Sequence, residues 1–275
     1  MNALELKNLT RSFKDFTLES LTLTLPKGCI LGLIGENGAG KSTAIKLILG
    51  MLKADSGSIS VLGQETLNKE EIGVVLDEPG FPDCVTPREV GKIMRSIYRS
   101  WDSAEYEAFL RRFDLPANKK YKDFSRGMKM KLAIAVALSH HPKLLILDEA
   151  TNGLDPVVRD QVVEMLSEFT RDEEHSILIS SHIVSDLEKI CDYVAFLHKG
   201  KLLIFEEKDA LRESCGLLRC GQEELAALDS AAVIGVKSSP YGVEAIVRRD
   251  AVPAGTALSP VSIEDLFICM SREVR

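Results

Sequence analysis

The sequence predicts an α/β fold around a buried sheet with parallel strands. Three observations carry this. The runs 29–34, 144–147 and 177–179 are apolar without alternation and of strand length, as in strands covered on both faces. Between them lie segments whose apolar residues recur at helical intervals. The first two of these runs also end in residues suited to ligand contact, a glycine-rich turn at 35–40 and the acids Asp148 and Glu149.

Taken in order, residues 4–34 read as strands. Leu21, Leu23 and Leu25 alternate with Thr22 and Thr24, the pattern of a half-buried antiparallel β subdomain. Helical spacing from Ser42 to Leu49 stops at Gly50, a residue that favours a helix end. Short strands are expected at Ser58–Leu62 and Ile72–Leu76, and a helical subdomain at about 80–140, where strand signals are few. Val158, Val162, Met165, Leu166 and Phe169 then mark a helix with one face on the sheet, and 184–190 another. Beyond Phe205 the composition turns to short strand-like pieces such as Val243–Val247, with a helix over 262–271. The expected division is therefore a main domain at 1–205 and a small C-terminal α+β appendage at 206–275.

Composition narrows the function. A chain of 275 residues with 45% hydrophobic and 27% charged residues lies in the ordinary globular range. A formal net charge of -7 offers no electrostatic footprint for nucleic acid. The six cysteines lack the spacing of a zinc site and read as reduced thiols that serve packing. The N-terminus lacks the basic-then-apolar order of a secretory signal, so the chain is expected to stay in the cytoplasm. No stretch reaches the roughly 18 to 20 apolar residues needed to cross a bilayer, so any membrane role needs a partner.

The strongest motif spans Gly35, Glu36, Asn37, Gly38, Ala39, Gly40, Lys41, Ser42 and Thr43, a phosphate loop set between a strand and a helix. Glycines let backbone N–H groups close around an anion at the positive end of a helix dipole. Lys41 should reach the β- and γ-phosphates, Ser42 should ligate Mg²⁺, and Thr43 should help hold the phosphate end. Downstream, Asp148 and Glu149 close an apolar strand, where an open α/β sheet presents ligands. Taken alone, such a pair reads as a helix cap or a solvated edge. After a phosphate loop, Asp148 reads as an organiser of Mg²⁺ and Glu149 as the group that orients and partly deprotonates a water.

Further signals are weaker one by one. Ser125 and Gly127 sit at the start of a helix rich in alanine and leucine, which alone suggests an N-cap. Asp155 reads as the cap of a helix starting at Pro156, and His182, just past a buried strand, as a packing or hydrogen-bonded residue.

In their order and spacing these elements resemble the nucleotide-binding subunit of ATP-binding cassette (ABC) transporters, from about Leu4 to Phe205. The resemblance implies a P-loop NTPase core, ATP and Mg²⁺ as cofactors, and ATP hydrolysis coupled to transport. It implies a head-to-tail dimer in which ATP on the loop of one subunit meets Ser125, Arg126, Gly127 and Met128 of the other. By the same match Phe13 stacks on adenine, although its plain reading is a core phenylalanine. His182 contacts the γ-phosphate and Asp155 links the two sites. The implied partner is a transmembrane permease subunit that meets residues 80–122, with a homodimer or a heterodimer of ATPase subunits attached peripherally to the inner face of the membrane. Trp101, Tyr98 and Tyr106 fall in that region, and their plain reading is the core of the helical subdomain.

Two departures stand out. The resemblance counts Asp77 with Ser42 and Asp148 among the metal-site residues, but here it takes the place of the family's usual glutamine, and since an ionised carboxylate can only accept hydrogen bonds, either Mg²⁺ coordination or coupling to the partner is expected to change. Arg126 replaces the first signature glycine and Met128 the glutamine. Arg126 either strengthens anion binding across the dimer or points to solvent. One cassette with a short tail looks most like bacterial exporter ATPases linked to drug, peptide-antibiotic or lantibiotic resistance. The rival classes are a soluble cassette ATPase of translation or repair, whose usual second cassette or coiled coil is not seen, and a weakly hydrolysing regulatory protein.

Overall fold

A computed structural model describes residues 2–78, 80–239, 242–253 and 255–273. The chain opens with an antiparallel sheet in the order β2-β1-β4, formed by β1 (Asn2–Ser12), β2 (Thr17–Pro26) and β4 (Ser56–Val61). Leu21, Leu23 and Leu25 of β2 are buried while Thr22 is exposed, as the alternation requires.

Strand β3 (Ile30–Gly35) leaves that sheet for the central one and leads through the phosphate loop into α1 (Lys41–Ile48). After β5 (Ile72–Val75) the chain forms α2 (Pro87–Ile97), α3 (Ser103–Arg112) and α4 (Arg126–Leu138). Each helix has a side-chain cap. Thr86 and Glu89 form a reciprocal capping box on α2, with Pro87 opening the helix, and Asp102 accepts from Ala104 and Glu105 on α3. Of the three aromatic residues here, Tyr106 belongs to the core, while Trp101 and Tyr98 are half-buried. Tyr106 is buried with its hydroxyl donating to the Pro87 carbonyl (2.9 Å), Trp101 packs on it, and Tyr98 stacks on His140.

The chain then runs through β6 (Leu144–Asp148), α5 (Pro156–Phe169), β7 (Ser176–Ser181), α6 (Val184–Ile190), β8 (Tyr193–His198) and β9 (Lys201–Glu207). The central sheet has the order β5-β6-β7-β3-β8-β9, parallel throughout except for the edge strand β9. The β8–β9 hairpin has no counterpart among the elements expected from sequence. Its turn, Lys199 and Gly200, has φ of 45° and 82°, the pair of positive values that a tight hairpin turn needs.

Because side chains alternate across a strand, the central sheet feeds two cores. Leu31, Leu33, Leu144, Ile146 and Leu178 face the core shared with β1, β2 and α1, whereas Ile30, Ile34, Leu145, Leu147, Ile177 and Ile179 face the one shared with α4 and α5. Burial on both faces explains why these strands read as unbroken apolar runs.

The remaining elements are α7 (Lys208–Ser214), β10 (Cys215–Cys220), α8 (Gln222–Ala226), β11 (Val233–Ser239), β12 (Gly242–Arg248) and α9 (Ile263–Glu273), with an antiparallel sheet ordered β10-β12-β11. This unit shares a core with the sheet before it. Phe196 of β8 meets Phe267 of α9 edge to face at 5.5 Å between ring centres. Glu188 of α6 accepts from Arg212 (2.8 Å) and from the Ile263 backbone (3.3 Å).

Candidate functional site

Strands β3, β6 and β7 are parallel neighbours, so their carboxyl ends lie along one edge. Here the topology gathers residues far apart in sequence, as expected for a ligand-binding edge of an open α/β sheet.

The phosphate loop occupies 36–40. Gly40 has φ of 112°, and a Cβ there would come within 2.9 Å of the Phe16 ring, so the loop needs glycine for both conformation and space. Its shape is held by Ala39 N–H donating to Glu36 (3.1 Å) and Gly200 N–H donating to Ala39 (2.9 Å), which ties the loop to the β8–β9 turn. Asn37 and Gly38 are exposed, Ala39 is buried, and Ser42 and Thr43 lie half-buried in the first turn of α1. The first N–H groups of α1 lack intrahelical acceptors by the geometry of any helix start.

Lys41 is only 4% exposed and turns back over the loop. Its Nζ donates to the carbonyls of Gly35 (2.7 Å) and Glu36 (3.2 Å) and pairs with Glu149 Oε1 at 3.0 Å. Three acceptors thus match the three N–H bonds of an ammonium. The other Glu149 oxygen, Oε2, accepts from His182 Nδ1 at 2.7 Å. Lys41, Glu149 and His182 form one continuous polar chain.

Glu149 follows directly on β6 with φ of 53°, a left-handed conformation that costs a side chain of this kind about 1 kcal/mol or more. Its backbone N–H holds it there by donating to the Ser180 carbonyl (3.1 Å) and to Ser180 Oγ (3.2 Å). The same Ser180 hydroxyl donates to Asp148 Oδ1 at 2.6 Å. Ser180 therefore orients both acids, a role sequence reasoning did not assign. Its one signal was the pair Ser180 and Ser181 closing an otherwise apolar strand.

A second group lies around the start of α4. Ser125 is the N-cap and accepts from the Met128 N–H (3.3 Å), and Gly127 lies near Leu154. Arg126 pairs with Asp77 (Nη2 to Oδ1, 2.6 Å) and lies against Gly153. Asp155 caps α5, accepting from the Val158 N–H at 3.0 Å. Phe13 is 42% exposed with the Arg11 guanidinium 5.2 Å from its ring centre, so it is a surface aromatic and not part of the core.

A phosphate loop whose lysine pairs with the acid that follows β6 places the protein among the phosphate-loop nucleotide hydrolases. Comparison with known proteins narrows this. Residues 18–152 match the family model of the ABC transporters. The ABC transporter ATP-binding protein YtrB of Bacillus subtilis (strain 168) is 30% identical over 96% of this chain and 97% of its own length. The lantibiotic transport ATP-binding protein SrtF of Streptococcus pyogenes is 36% identical over 75% of this chain and 91% of its own length. The bacitracin transport ATP-binding protein BcrA of Enterococcus faecalis is 35% identical over 73% and 68%. A solved ATP-binding subunit of an ABC transporter superposes with a TM-score of 0.70 and 31% identity, covering 77% of this chain and 92% of that one. The chain belongs to the ABC transporter family, as an ATP-binding and ATP-hydrolysing subunit that serves a separate membrane component. No helix among the described residues is long and apolar enough to cross a membrane.

Proposed function

We propose that Mg-ATP binds at the loop from Gly35 to Thr43 and that two cassettes close over it head to tail, each offering the segment Ser125–Met128 to the other. The observation that carries this reading is the chain Lys41–Glu149–His182. A triphosphate arriving at the loop brings a stronger anion than the carboxylate that Lys41 already pairs with, so Lys41 turns from Glu149 to the β- and γ-phosphates. Glu149 is thereby freed to orient water and accept its proton, while His182, already bonded to it, stands beside the γ-phosphate. Asp155 lies on the facing loop, and Phe13 offers an exposed ring for adenine.

Magnesium prefers hard oxygen donors, and the hydroxyl of Ser42 and the carboxylate of Asp148 fit that preference. When bound, the ion neutralises charge on the phosphate oxygens. Ser180 keeps the Asp148 carboxylate oriented.

Residues 1–205 form the cassette in this reading, with the helical subdomain at about 80–140, and 206–275 an accessory unit. The membrane subunit docks on a groove of about 1070 Å³ between α2 and α3. Arg88, Lys92, Arg95 and Arg111 line it against only Glu107 and Asp114, so the docking segment is acidic around an apolar residue that reaches Trp101. The second cassette is a copy of this chain or a paralogue, and the assembly sits on the cytoplasmic face of the membrane. Kinship with proteins named for lantibiotic and bacitracin transport supports transport of a peptide antibiotic. Copurification with a membrane subunit, followed by assay of ATPase stimulation with candidate peptides, tests this. Absence of any membrane partner, or ATP turnover indifferent to every such peptide, counts against it.

A further inference from the structure

Two positions at which the chain departs from its family's residues, 49 apart in sequence, meet in the fold: Arg126 Nη2 lies 2.6 Å from Asp77 Oδ1. We propose that Asp77 and Arg126 are one positioning unit, which fixes the Ser125–Met128 segment as a face for the triphosphate on a second cassette. This rests on the head-to-tail closure described above.

The physical case begins with the helix. Arg126 is the first residue of α4, where the helix dipole is positive and disfavours a cation. The first turn of α4 contains no acidic residue to compensate. Asp77, from the segment after β5, supplies the missing negative charge. An arginine at this position without that acid is poorly placed, and each replacement makes sense of the other.

Gly153 completes the arrangement. It has φ of 70°, and a Cβ on it would stand 3.2 Å from Arg126 Nε and 3.3 Å from Cδ. Glycine there permits the turn and leaves the guanidinium room to lie flat on the backbone. Gly153 follows Glu149 by four residues and precedes the cap Asp155 by two. Arg126 thus joins three segments, the start of α4, the loop after β5 and the loop between β6 and α5. An exposed ion pair alone holds weakly; this one, about half exposed, is also confined on one side by Gly153. On this reading Asp77 acts through Arg126 and is not itself a metal ligand.

The test restores the family's residues. Asp77→Gln, Arg126→Gly and the double variant are made in the Glu149→Gln background, and the chain concentration giving half dimers in Mg-ATP is measured by sedimentation. Each single change raises it by about three- to thirtyfold, and the double change recovers most of the loss, the non-additivity of residues in contact. Asp77→Glu retains most of the parent behaviour. Binding of a fluorescent ATP analogue to the monomer stays the same in all variants, which separates positioning from damage to the phosphate loop. Hydrogen exchange at residues 125–129 of the nucleotide-free chain quickens in Asp77→Gln. A double variant showing the product of the two single effects, or exchange unchanged by Asp77→Gln, overturns the proposal. Failure of the parent background to dimerise in ATP overturns head-to-tail closure instead, and the exchange measurement then still decides whether the pair exists.

Discussion

Replacing Glu149 by glutamine keeps the shape of the side chain and removes its charge. Two effects with different signs follow. Loss of a general base lowers turnover by about 10²- to 10⁴-fold. Nucleotide binding moves the other way, because Lys41 pairs with Glu149 at 3.0 Å, and a triphosphate competes with that carboxylate for the same ammonium. At that distance and an effective dielectric near 20, the attraction is about 5.5 kcal/mol, most of which is offset by the cost of keeping both charges out of water. A net remainder of about 1.4 kcal/mol corresponds to about tenfold tighter ATP binding in the variant. Steady-state phosphate release gives the first quantity and equilibrium titration with a fluorescent ATP analogue the second. Turnover within a factor of two of the parent refutes the role of Glu149 as base. Affinity that is unchanged or weaker refutes competition between Glu149 and nucleotide for Lys41.

Lys41→Ala removes a cation that makes charge-assisted contacts with phosphate, so ATP affinity should fall by about 10- to 150-fold, and gel filtration in the Glu149→Gln background should show no ATP-driven dimers; persistent dimers count against the assigned role. Asp155→Ala takes away the cap of α5 and should cost about 1 kcal/mol, seen as a lower urea midpoint at unchanged slope, whereas an unmoved midpoint argues that the cap contributes nothing. The backbone N–H groups of Glu105 and Ala104 hold the Asp102 carboxyl below its usual range. Its folded-state value is depressed, so its contribution is complete above the unfolded value of about 4 and drains away as pH falls through the lowered value. The stability difference between the parent and Asp102→Ala should therefore be constant near neutrality and shrink below about pH 4; a difference independent of pH down to 2 refutes this account.

Much of this architecture is legible in the sequence where local chemistry and position agree. The phosphate loop is recognisable because glycine, lysine and hydroxyl residues are fixed at single positions by backbone contact with an anion. The caps Ser125 and Asp155 are readable because a helix start demands a side-chain acceptor next to it. Hairpin β8–β9 is not legible because its tight connection is made by Lys199 and Gly200, and lysine is an unusual residue for a left-handed turn. Pairings across the fold are a different matter. Nothing local to Lys41 indicates that it pairs with Glu149, nor does anything near Arg126 point to Asp77. The first contact is fixed by the order of strands in the central sheet, which sets the ends of β3 and β6 along one edge, and the second by the packing of α4 beside β5. The serine at 180 is of the same kind, an ordinary strand residue until β6 is laid beside it.

The contact of Phe196 with Phe267 has a mechanical consequence. Helix α6 begins two residues after His182 and is gripped through Glu188 by both ends of the C-terminal unit, while the aromatic pair fastens that unit to the sheet from below. A close-packed interior passes displacement along rather than absorbing it. The histidine end of α6 and helix α9 therefore belong to one packed body, tied by Glu188 and by the aromatic pair.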